Sequence, residues 1–161
     1  MFFKKRKKNG PVEVKAFFEG TALPVEQVND PIFAEKVMGD GVAIEPVNGN
    51  LYAPVSGKVA TIFDTKHAIG FTLGNGAEVL MHIGMDTVEL QGEGFNLDIS
   101  VGDEVQAGQL IGTIDLEFVK SKEKEVTTPV LLTTMDDYKI EFVKTEGPVH
   151  VGDILYKISK Q

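Results

Sequence analysis

Turn-forming residues cut this chain into short pieces, and that punctuation limits what it can fold into. Clusters of Gly, Pro, Asn and Asp recur, such as Val47-Asn48-Gly49-Asn50 and Gly74-Asn75-Gly76. Between them lie short apolar or alternating runs at 12–18, 42–44, 58–63, 70–73, 79–83, 110–114, 130–134, 138–143 and 154–158. Many short strands with frequent turns predict an all-β chain, an antiparallel β-sandwich or barrel. Helix signals are few. Asp30-Pro31 can serve as N-cap and first helical residue, Phe33, Val37 and Met38 then share a face, and Gly39 fits the stop. That makes one helix of about two turns. Asp115 can cap a second short turn through Leu116, Val119 and Lys120.

The strands carry an imperfect repeat. Val101-Gly102-Asp103-Glu104-Val105, followed by Gly108-Gln109-Leu110-Ile111, echoes Val151-Gly152-Asp153-Ile154-Leu155. Ala53-Pro54-Val55-Ser56-Gly57 partly echoes Thr128-Pro129-Val130. Each echo reads as a turn feeding a strand, so two similar β motifs packed together are expected. Lipoyl- or biotinyl-type carrier domains use similar turns but need a lysine at a hairpin tip, and none stands there.

Charge bears on partners. The net charge is −8, yet Lys4, Lys5, Arg6, Lys7 and Lys8 form one basic run near the start. Residues 1–11 are read as a flexible basic tail and 12–161 as a single domain. Without that run, 11 cations face 24 acids, so the body should repel nucleic acid and attract basic partners. The tail is either a solvated terminus or a weak membrane-surface contact, with Phe2 and Phe3 dipping into the interface. No apolar run approaches the roughly 18 residues of a membrane span. There are no cysteines, which excludes disulfides and thiol nucleophiles and points to a cytoplasmic protein.

The chemistry concentrates between Thr65 and Phe95. This stretch holds Thr65-Lys66-His67 and Met81-His82-Ile83-Gly84-Met85-Asp86, with an Asn-Gly hairpin signal between them. If Asn75-Gly76 is a two-residue loop, opposing residues sum to 151. His67 then falls opposite Gly84 and Ile69 opposite His82, which puts both histidines on one face. A three-residue loop would place them on opposite faces. Two close imidazoles suit a phosphoryl relay. One is a nucleophile for phosphorus, the other a donor to the charged group, and Thr65 could hold the second ring's orientation. The same pair could supply two ligands of a zinc site, as a regulatory module or a metal-dependent hydrolase. The third histidine, His150, reads as structural or surface.

Four motifs, in their order and spacing, resemble one family along nearly the whole chain from Val12. They are Phe33-Ala34-Glu35-Lys36 with Gly39-Asp40-Gly41, Ala53-Pro54-Val55-Ser56-Gly57, Thr65-Lys66-His67-Ala68, and His82 through Leu90 with Gly92-Glu93-Gly94-Phe95. The family is the glucose-type enzyme IIA of the bacterial phosphoenolpyruvate-dependent sugar phosphotransferase system. The resemblance implies a rigid antiparallel β-sandwich. It implies that His82 is phosphorylated at Nε2 by the histidine phosphocarrier HPr and passes the group to a cysteine on the IIB domain of a sugar permease. His67 would contact the phosphoryl group and be needed mainly for donation. Thr65 would assist it, and Asp86 would lie at the rim. No cofactor is implied. In some relatives the two histidines bind zinc at a contact with a regulated partner, which here would make His67 and His82 ligands. Metabolic or transport proteins could be regulated in this way. An apolar docking surface would include Val37, Met38, Val42, Ile44, Phe63 and Ile69. Ile69 and Lys66 depart from the residues common there, which bears on partner choice rather than on the chemistry.

Overall fold

The computed structural model describes residues 10–161. The basic run at 4–8, with both readings of it, lies outside the described residues. From Val12 the chain is β, as the punctuation predicts. One sheet joins β1 (Val12–Lys15), β14 (Ile154–Lys160) and β12 (Tyr138–Phe142). A second joins β4 (Asn50–Tyr52), β10 (Leu110–Ile114) and β8 (Phe95–Leu97). The third has eight strands in the order β13 (Gly147–Val149), β2 (Gly20–Pro24), β3 (Asp40–Pro46), β11 (Thr128–Leu132), β7 (Glu78–His82), β6 (Ala68–Leu73), β5 (Gly57–Ile62) and β9 (Glu104–Val105). Every paired ladder is antiparallel.

The large sheet is covered on both faces, and strand alternation decides which residue faces which side. Val42, Ile44, Val130, Leu132, Ile69 and Met81 enter the main core. Their neighbours Ala43 and Leu131 point the other way, into a small second cluster with Val25, Val28, Phe33 and Met85. That cluster floors the site described below. Buried tyrosines stitch the layers: Tyr156 donates to the Val130 carbonyl at 2.7 Å and Tyr138 to the Asn75 carbonyl at 2.7 Å.

The first expected helix is shorter than read, and the second covers the residues expected of it. Asp30 caps α1 (Pro31–Ala34) by accepting the Ile32 N–H at 2.9 Å. The helix stops there rather than at Gly39, because Lys36 turns left-handed at φ +59°. Ion pairs from Lys36 to Glu26 (3.3 Å) and Asp40 (3.5 Å) hold that turn. Asp115 caps α2 (Leu116–Ser121) through the Phe118 N–H at 3.0 Å.

The first repeat is physical. Gly102 and Gly152 both have φ +97°. Asp103 accepts from the Ser100 N–H at 2.9 Å, as Asp153 does from the His150 N–H at 2.8 Å. Each turn then feeds a strand, β9 or β14. The second echo does not hold. Ala53–Ser56 is a connection, whereas Thr128-Pro129-Val130 lies within β11 at the middle of the large sheet. Pro129 is tolerated there because the ladder to β7 begins only at Val130.

Candidate functional site

His82 ends β7, near the centre of the large sheet. Its register differs from the sequence reading. Ala68, not Ile69, opposes His82, and opposing residues sum to 150. The loop is three residues, 74–76, closed by Leu73 N–H to Ala77 O at 2.8 Å and Gly76 N–H to Leu73 O at 3.0 Å. A type I′ turn needs φ > 0 at both central residues, but only Gly76 (φ +89°) has it. Asn75 is buried instead. Its side chain accepts the Ala77 N–H at 3.1 Å and donates to the Ile158 carbonyl at 3.3 Å.

The histidines meet all the same, by a different route. His67 is not in the pleat. It is the last residue of a four-residue loop, 64–67, closed by Phe63 N–H to Ala68 O at 3.0 Å and turned by Lys66 at φ +61°. Face alternation therefore does not apply to it. The two rings stand 5.0 Å apart between centroids, edge to face. Thr65 Oγ1 lies 2.6 Å from His67 Nδ1.

The His82 proton is fixed by chemistry. Its Nδ1 lies 2.8 Å from the Gly84 carbonyl oxygen. A carbonyl only accepts, so Nδ1 carries the hydrogen and, in the neutral ring, Nε2 carries the lone pair. Burial pushes the His82 imidazole below its ordinary pKa, partly opposed by the Gly84 carbonyl and by the carboxylates of Asp30 and Asp86. His67 is also pushed down, first by burial and then by repulsion from His82. Both rings are therefore neutral near pH 7, which suits nucleophilic use.

Both rings line a hollow of about 230 Å³ with Asp30, Ile32, Phe33, Met38, Phe63, Ala68, Leu80, Asp86 and Val88. Asp86 is exposed on its wall, at φ +58°. The Phe33 ring packs 4.8 Å from His82 and the Phe63 ring 5.5 Å from His67. Of the expected docking surface, Met38 and Phe63 line the hollow, and Val37 is 70% exposed beside Met38. Val42, Ile44 and Ile69 are fully buried core. On β3, period two sends Val42 and Ile44 inward, and the one-residue register difference does the same to Ile69. Phe33, Leu80, Ile32, Val88 and Asp30 belong to the wall but were missed. Leu80 was findable two residues before His82 on the same face. Val88 follows a turn whose direction no local pattern gives.

A metal would find too few donors. Among the described residues no group of three His, Cys, Asp or Glu is placed to hold an ion. His67 and His82 alone do not make a zinc site, so any zinc would need ligands from another molecule.

Residues 12–138 match the family model described as phosphoenolpyruvate-dependent sugar phosphotransferase system, EIIA 1. The chain belongs to this family. Membership makes it an EIIA component of a phosphotransferase system. It is similar to the PTS system glucose-specific EIICBA component of Streptococcus pneumoniae, 47% identical over 146 residues, which cover 91% of this chain and 20% of that protein. The chain thus spans about a fifth of the length of that curated relative. It also resembles the solved structure of glucose permease IIA from Mycoplasma capricolum, with TM-score 0.86 and 40% identity, over 92% of this chain and 96% of that one. The antiparallel β-sandwich expected from the motifs is the fold of that relative. Among the described residues no helix is long and apolar enough to cross a membrane.

Proposed function

We propose that His82 Nε2 is the phosphoryl acceptor, charged by phospho-HPr and discharged to a cysteine on the IIB domain of a sugar permease, at the cytoplasmic side. The observation that carries this reading is the Nδ1–H···O=C bond from His82 to Gly84, which leaves the Nε2 lone pair free. In acceptance, that pair attacks phosphorus. The P–Nε2 bond forms as the P–N bond to HPr breaks, and the electron pair stays on the HPr ring. In donation, a cysteine thiolate attacks phosphorus, the P–S bond forms, and the pair returns to Nε2. Family membership supports HPr and IIB as partners, and the EIICBA name of the relative supports IIB.

His67 assists by hydrogen bonding. If Thr65 Oγ1–H donates to His67 Nδ1, the hydrogen on His67 sits at Nε2 and can point at a phosphoryl oxygen. The apolar wall of the hollow excludes water that would hydrolyse the P–N bond. Two negative charges arriving there would also repel any protein that docks on the neutral form, which gives regulated metabolic or transport partners a means of sensing the state.

The test is acid-labile phosphate incorporation from phosphoenolpyruvate through enzyme I and HPr. Wild type and His67→Gln take up label, and His82→Ala does not. His67→Gln then discharges to IIB about 100-fold more slowly, the cost of losing one preorganised donor. Unlabelled wild type, or normal labelling of His82→Ala, overturns the assignment.

A further inference from the structure

The carbonyl that fixes the His82 proton belongs to a doubly supported turn. Two consecutive peptide units run from Ile83 to Met85, joined at Gly84, whose φ is +74°. The first unit is gripped at both ends by fully buried threonines. Thr87 Oγ1–H donates to the Ile83 carbonyl at 2.5 Å, and the Gly84 N–H donates to Thr128 Oγ1 at 3.3 Å. Thr128 Oγ1–H itself donates to the Val126 carbonyl at 2.9 Å, which leaves its oxygen turned to Gly84 as an acceptor. In the second unit, the Gly84 carbonyl accepts from His82 Nδ1 at 2.8 Å while the Met85 N–H donates to the Glu125 carbonyl at 3.0 Å.

We propose that Thr87 and Thr128 are positioning residues for phosphoryl transfer: by clamping the Ile83–Gly84 peptide they aim the Gly84 carbonyl at His82 Nδ1 and keep the lone pair on Nε2. A clamp is needed because glycine has no Cβ to restrict its rotation. If the carbonyl swings away, the neutral ring is free to move its hydrogen to Nε2, and the nucleophilic atom is lost. The two threonines come from separate segments, the 3₁₀ turn Thr87–Leu90 and strand β11. Their convergence on one peptide unit is tertiary, not a by-product of one turn. The inference rests on His82 Nε2 being the acceptor.

¹⁵N-histidine NMR of the unphosphorylated chain reads the tautomer directly, and phosphate labelling from HPr reads its consequence. Wild-type His82 should carry hydrogen on Nδ1. Thr87→Val and Thr128→Val should show a mixed tautomer and label about tenfold more slowly, the lower end of the cost when a group orienting a functional histidine is lost. Thr87→Ser and Thr128→Ser, which keep the hydroxyl, should restore both readouts. If a valine variant does not fold, Thr87→Ala and Thr128→Ala carry the same expectation. Valine or alanine variants with wild-type tautomer and rate, or serine variants that fail to rescue, overturn the clamp. If wild type shows Nδ1–H and the variants shift it, but nothing labels, the clamp stands and the phosphocarrier assignment falls.

Discussion

At the scale of single residues, the site was legible where chemistry is local. Thr65 stands two residues from His67, and the spacing already said that its hydroxyl could orient the ring. The 2.6 Å Oγ1–Nδ1 distance is what that spacing allows. Not legible was which ring atom of His82 is blocked, because the Gly84 carbonyl reaches it only through a left-handed turn. The depressed histidines have a pH consequence. Both folded-state pKa values lie below the ordinary imidazole value, so the unfolded chain binds protons that the folded chain refuses. Their stabilising contribution is complete above the unfolded value near 6.5 and is lost as pH falls through the folded values. Uptake of phosphate, which under the proposed assignment needs neutral His82, should accordingly persist below pH 6.5 and decline only at the lowered value. His82→Gln should raise the His67 pKa, since repulsion from a second cation is removed while burial stays. NMR titration of the His67 ring checks this, and an unmoved or lower value would count against electrostatic coupling of the pair.

At the scale of elements, most longer strands could be placed from their apolar runs, and the short ones could not. β9 has two residues and β4, β8 and β13 three each, too few to show a period. β2 was hidden by its composition, Gly20-Thr21-Ala22-Leu23-Pro24, which reads as a loop until β3 and β13 flank it. The 68–82 hairpin shows a harder limit. Asn-Gly gave the turn but not its length, since burial of Asn75 against β14 chose the three-residue form. The Gly84 turn yields a prediction of its own. A Cβ at Gly84 would lie 2.7 Å from the Glu125 carbonyl oxygen and 2.7 Å from Thr87 Cγ2, at a φ of +74°. One obstacle is backbone and cannot rotate aside. Gly84→Ala should cost about 2 kcal/mol in denaturant unfolding, within the range for a forced left-handed residue. It should also slow labelling of His82, because relief of the clash moves the carbonyl. A variant of full stability and rate would show that the turn relaxes without consequence.

At the scale of the whole molecule, the twin turns at Gly102-Asp103 and Gly152-Asp153 were visible in advance as one repeated device, a glycine at φ +97° and an aspartate that closes the turn. The layering was not visible, because it depends on which face each strand turns to the main core. Val42 and Ala43 are both apolar, and only the sheet sends one to the core and the other to the floor of the site. Charge is a whole-molecule property that the sequence does fix. The net value is −8, and outside residues 4–8 there are 24 acids against 11 cations. Asp30 and Asp86 stand in the wall of the hollow itself. A basic phosphodonor would be drawn to this field before it makes contact, while the transfer step proceeds inside an apolar wall that salt scarcely reaches. The second-order rate of charging by phospho-HPr should therefore fall about tenfold or more as the Debye length shrinks from roughly 30 Å at 0.01 M salt to roughly 3 Å at 1 M. The first-order transfer rate within the complex should stay nearly constant. Stopped-flow charging across that salt range separates the two. A salt-independent second-order rate would mean that the acids serve solubility alone and that docking relies on Met38, Phe63, Val88 and their apolar neighbours.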